Sequence, residues 1–70
     1  MNDLHDQLMA AHVHGDKDAL VNLYTLAADE AVDTDAACFF LTHAYVFALE
    51  TGNPVATVLH QRLKKAGREE

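Results

Sequence analysis

Seventy residues make one small domain, short of the size at which a single hydrophobic core stabilises a chain comfortably, so a staple or a neighbour is expected to contribute. Half of the residues are hydrophobic and the formal net charge is -6, which supports folding but disfavours nucleic acid as a partner, since that role depends on neutralising phosphates. Cys38 is the single cysteine, which removes an intramolecular disulfide and points to a reducing, cytoplasmic setting.

Strand alternation is nearly absent and alanine is abundant, so an all-α chain is expected. The opening MNDLHDQLMAAH carries acids where an export signal needs a basic start, and no such signal is expected. Asn2 or Asp3 can cap a first helix over 3–14, with Leu4, Leu8 and Ala11 on one face. Gly15 suits the left-handed position past its end. Asp16 then caps a second helix over 17–32, whose Leu20, Leu23, Tyr24, Ala27 and Ala31 recur at helical spacing.

Asp33, Thr34 and Asp35 are three candidate caps for a third helix over 35–51. In GNP, Gly52 lies past that helix, Asn53 caps the next, and Pro54 takes the first helical position, where its missing N–H costs nothing. The fourth helix spans 54–66, with Val55, Leu59, Leu63 and Ala66 as its core face. The basic run RLKKAGR places Lys64 and Lys65 near its C-terminus, where cations complement the helix dipole.

The third helix differs from the others. Its polar residues, Asp35, Thr42, His43, Glu50 and Thr51, recur at seven- or eight-residue spacing and stack into a narrow stripe, while nearly everything else is apolar. The densest apolar run, 36–49, is shorter than the ~20 residues of a spanning helix and is interrupted by Thr42 and His43. No membrane span is expected. Phe39, Phe40, Tyr45 and Phe47 occupy several faces of this helix, more than a four-helix domain readily buries. Phe39, Val46 and Phe47, with His43 beside them, are therefore the candidate contacts with another protein chain, a homodimer among the options.

Five histidines invite a metal or catalytic reading. His5 and His12, seven apart, could share a face with Asp16 nearby, whereas His12 and His14 point to different sides. Neither H-E-x-x-H nor a cysteine–histidine zinc spacing occurs, so no metal or other cofactor is expected. His43 among aromatic residues could act as a base, but the chain has no serine, and Cys38, five positions away, is out of register with that ring. No catalytic residue is expected and no phosphate-binding loop is present in the sequence. The alternative to an interaction module is a small metal- or ligand-sensing regulator using His5, His12, His43 or Cys38.

Overlaying the two glycines requires a shift of 37 residues, 52 minus 15. Leu4 then falls on Leu41, Ala11 on Ala48, Asp16 on Asn53, Ala19 on Ala56, Val21 on Val58 and Leu26 on Leu63, so that both halves read A-x-x-x-G-[DN]-x-x-A-x-V-x-x-x-x-L. Small residues one turn to either side of the glycine let two antiparallel helices approach closely. In Ala11, Gly15, Asp16, Ala19 and Leu23, and in Tyr45, Ala48, Gly52, Asn53 and Ala56, the chain resembles the tetratricopeptide superfamily and its Sel-one-like relatives. The family's later glycine and tyrosine are replaced by Tyr24 and Ala27 in the first half and by Gln61 and Lys64 in the second, and His60 stands where Leu23 stands. The resemblance implies four antiparallel helices arranged as two stacked hairpins and a protein-binding scaffold. Three or more repeats are usually needed for stability, and two hairpins again point to self-association.

Overall fold

The computed structural model describes residues 3–67, in which the regular secondary structure is entirely helical. The helices are α1 (Leu4–His14), α2 (Lys17–Glu30), α3 (Thr34–Thr51) and α4 (Val55–Lys65). They form two hairpins, α1–α2 and α3–α4, joined through the most extensive contact of the fold, α2 against α3. Asn2, a candidate cap, and the last residue of the run RLKKAGR, Arg68, lie outside the described residues.

Local chemistry sets nearly every boundary. The Asp3 carboxylate accepts the Asp6 amide at 2.9 Å, that of Asp16 accepts the Ala19 amide at 3.1 Å, and that of Asp33 accepts the Ala36 amide at 2.7 Å. Each satisfies an amide that the first helical turn leaves unpaired. Of the three candidate caps for α3, Asp33 is the one used. Gly15 and Gly52 sit at φ 66° and 71°, and the amides beyond them return to the helix, Asp16 to Ala11 O at 3.0 Å and Asn53 to Ala48 O at 2.9 Å. This is the six-to-one closure of a left-handed helix end.

The starts of α1, α3 and α4 and the end of α4 differ from expectation by one residue, and the end of α2 by two. α2 stops at Glu30, two residues early, because Ala31 turns to extended backbone (φ -66°, ψ 142°) and leads into the extended Asp33 cap. Val32 is left almost fully exposed in that connection. α4 is regular from Val55, with Pro54 already at helical torsions (φ -62°, ψ -16°), and the Asn53 side-chain oxygen accepts the Val55 amide at 3.0 Å. Ala66, expected on the core face, is exposed past the end of α4.

The core is the apolar contact of α2, α3 and α4. Val21 and Ala28 from α2, Cys38, Leu41, Ala44 and Ala48 from α3, and Leu59 and Leu63 from α4 form one buried cluster. The three α3 residues in it other than Leu41 are small, which lets α2 and α4 seat closely against that helix. Cys38 packs there as a small apolar residue. α1 contributes less: Ala11 is its one buried residue, with Leu4 and Leu8 half-buried.

The molecule measures 36 × 29 × 12 Å. Its thin dimension is about one helix diameter with side chains, so a helix seated between two neighbours still shows one face to solvent. α3 is that helix.

Candidate interaction face of helix α3

At 3.6 residues per turn, Asp35, Phe39, Thr42, His43, Val46, Phe47 and Glu50 fall within about 140° of the α3 circumference. The buried Leu41, Ala44 and Ala48 occupy the opposite side. Phe39 is 59% exposed and Val46 is 48% exposed, with Leu49 exposed beside them. His43 and Phe47 are half-buried. The four residues expected to contact a partner therefore lie on one continuous face.

Thr42 and His43, in the middle of the face, direct hydrogen bonds to their own helix, as does Thr51 just beyond it. Thr42 Oγ1 donates to Cys38 O at 2.8 Å, and Thr51 Oγ1 donates to Phe47 O at 3.2 Å. His43 Nδ1 lies 2.9 Å from Phe39 O; a carbonyl can only accept, so this nitrogen carries the hydrogen, and Nε2 of the neutral ring is an acceptor. The stripe is thus more apolar in practice than its composition suggests. Two shallow depressions run along it, one of ≈ 550 Å³ lined by Asp35, Cys38, Phe39, Thr42 and His43, the next of ≈ 210 Å³ lined by Thr42, His43, Val46 and Phe47. They share Thr42 and His43 and so form one groove.

His43 is more enclosed than a solvent stripe requires. Its ring lies 4.5 Å from that of Phe39 and 5.1 Å from that of Tyr24 on α2. Tyr24 is the hub of a ring cluster that sequence periodicity did not reveal. It stacks on Phe47 at 6.0 Å, approaches Phe40 at 6.2 Å, and its hydroxyl lies 2.9 Å from His12 Nε2 on α1. His12 also meets Phe47 edge-on at 6.1 Å. Edge and offset ring contacts of this kind contribute beyond area burial, and here they tie the lightly buried α1 to the centre of the molecule. A second stacked pair, Tyr45 and His60 at 5.5 Å, joins α3 to α4. The signal available for both was a histidine at or beside an apolar helical position.

Among the described residues, no three His, Cys, Asp or Glu side chains gather closely enough to hold a metal ion. None of their helices is long and apolar enough to cross a membrane. Nor do the described side chains leave a buried polar atom without a hydrogen bond, so the core holds no orphaned group aimed at a ligand. No family model, curated protein or solved structure matches the chain.

Proposed function

We propose that this chain is a small helical interaction module that binds protein through the outer face of α3, in a reducing cytoplasmic compartment where the buried Cys38 stays a thiol. The observation that carries the reading is the contiguous exposure of Phe39, Val46 and Leu49 along a helix whose other side is fully engaged in the core. Isolated exposed apolar residues are ordinary; a contiguous stripe rimmed by polar groups marks a contact surface. Covering a phenylalanine or valine side chain is favourable by roughly 1.5–3 kcal/mol each before the costs of association. Three such residues suit a modest, reversible contact. The tetratricopeptide-like junctions are in keeping with this role, since paired helices of that kind present helix faces to partners.

The test uses a double variant, Phe39→Ser with Val46→Ser, whose fold is verified by circular dichroism because both positions are surface-exposed. Affinity capture from the native cell and solution mass by light scattering are compared for the two proteins. A partner or a self-assembly held by the wild type and lost by the variant is the expected result. Identical capture and identical mass for both proteins would sink the reading.

A further inference from the structure

The shape of the α3 face specifies the kind of element that fits it. Residues four apart on a helix form ridges, and two such ridges border the groove. One is Asp35, Phe39, His43 and Phe47; the other is Cys38, Thr42, Val46 and Glu50. A channel between i±4 ridges is complementary to the side-chain ridge of a second helix. The polar groups along it are already bonded to their own backbone, at 2.8 Å for Thr42 and 2.9 Å for His43, so a helix laid over them leaves neither hydroxyl nor Nδ1 stranded.

The charge specifies the rest. α3 carries two charged residues, Asp35 and Glu50, and no lysine or arginine. They bracket the apolar part of the groove, one on each ridge, and are separated by 15 residues, about 22 Å at 1.5 Å per residue. Lys17 lies 3.6 Å from Glu50, with both side chains still about half exposed. A second copy packing α3 on α3 would set acid against acid: Asp35 faces Glu50 in the antiparallel sense, and each faces its own counterpart in the parallel sense. Two chains of net charge -6 would add long-range repulsion.

Resting on the interaction-module reading, we infer that the groove takes a cationic amphipathic helix of a different protein, its apolar ridge between Phe39 and Val46 and its lysine or arginine side chains over Asp35 and Glu50. A helix that reaches both carboxylates must run nearly along α3. That selects the packing of an i±3 ridge into an i±4 groove, with a crossing angle near +20°. The partner's apolar residues therefore recur at i, i+3 and i+6 or i+7, with basic residues about four turns apart. His43 Nε2, an acceptor in the neutral ring, adds a site that a third basic side chain can address from mid-groove.

The experiment uses a synthetic helical peptide of about 18 residues, the length that spans ~27 Å, with leucines on that spacing and lysines at both ends. A second peptide carries glutamate in place of every lysine. Binding to the full chain is measured by fluorescence anisotropy, and the contact is mapped by amide shift changes. The lysine peptide is expected to bind at least tenfold more tightly than the glutamate peptide and to shift α3 amides. Phe39→Ala is expected to weaken it at least tenfold, and Glu50→Gln several-fold. Equal binding of the two peptides, or lysine-peptide binding indifferent to Phe39→Ala, overturns the inference, the latter because it reveals a non-specific attraction to an acidic protein. If the free chain has twice its monomer mass and Phe39→Ser halves it, the second copy owns the face: the cationic-helix inference falls while the interaction-module reading stands. If no peptide binds and neither mass nor native-cell capture depends on Phe39 and Val46, both fall.

Discussion

The junctions at Gly15 and Gly52 are nearly the same object, yet the helices leaving them are buried differently. Both glycines are left-handed, at φ 66° and ψ 28° against φ 71° and ψ 23°, and both close on the alanine four residues earlier. Ala11 and Ala48 are buried at both. Further from the turn the correspondence inverts. Val21 is 1% exposed and its counterpart Val58 is 53% exposed, whereas Leu26 is 46% exposed and Leu63 is 0% exposed. A turn is specified by its own residues, while burial is specified by which neighbours arrive. α2 lies between α1 and α3, and α4 is an edge helix whose backbone comes close to that of α3 alone.

The sharpest way to break this comparison is truncation at the inverted positions. Leu63→Ala is expected to cost about 2–5 kcal/mol, as for leucines with no room to relax, and in so small a domain this approaches the whole stability. Leu26→Ala is expected to stay within about 0.5 kcal/mol, as for surface substitutions. Urea midpoints of the two variants check this, and equal losses would mean that the two halves bury matching faces after all. The junctions should respond alike. Gly15→Ala and Gly52→Ala are each expected to cost about 1–2 kcal/mol from the left-handed backbone alone, because a Cβ at either site meets nothing within 4 Å. A cost at one junction alone would show that the matching torsions hide different constraints.

The caps give a smaller and asymmetric effect. Asp16→Ala removes a carboxylate that accepts the Ala19 amide at 3.1 Å, and about 1 kcal/mol is expected. Asn53→Ala should cost less. Asn53 accepts the Val55 amide at 3.0 Å, but Pro54 fixes its own φ at -62° and needs no donor satisfied. Thermal melts of the pair decide whether proline shares the work of the cap.

What could be read from the residues follows the same division. Gly15, Asp16, Gly52, Asn53 and Asp33 act over one or two turns, so their chemistry was visible without knowledge of the fold. The face of α4 was legible through Leu59 and Leu63, and one side of α2 through Leu20 and Ala27, because 3.6-residue periodicity survives whatever the neighbour is; the side of α2 that enters the core cluster, Val21 and Ala28, was not. The end of α2 was not, since no glycine or proline marks Ala31. On the candidate face, Phe39 and Val46 were legible as an excess of large apolar residues over faces available to bury them. The enclosure of His43 and Phe47 by Tyr24 and His12 was not, because residues twelve or more positions apart meet only once α1 and α2 have packed across the turn. Periodicity reports that a side is apolar and leaves open which chain covers it.

The smallest expected effect concerns the polar link between the two hairpins. The Arg62 guanidinium lies 2.6 Å from the Asp29 carboxylate, joining α4 to α2 behind the buried side of α3, with side chains 38% and 52% exposed. Such a short charge-assisted contact invites the view that it holds the hairpins together. Solvent exposure argues otherwise: water screens the pair, and two long side chains lose freedom to meet, so a coupling of about 0.2–1 kcal/mol is expected. A double-mutant cycle of Asp29→Asn and Arg62→Gln measures it, and the coupling should shrink further in high salt. A salt-insensitive coupling above about 2 kcal/mol would contradict the assignment of docking to Val21, Ala28, Leu59 and Leu63. It would then be the ion pair that selects which valine and which leucine each hairpin buries.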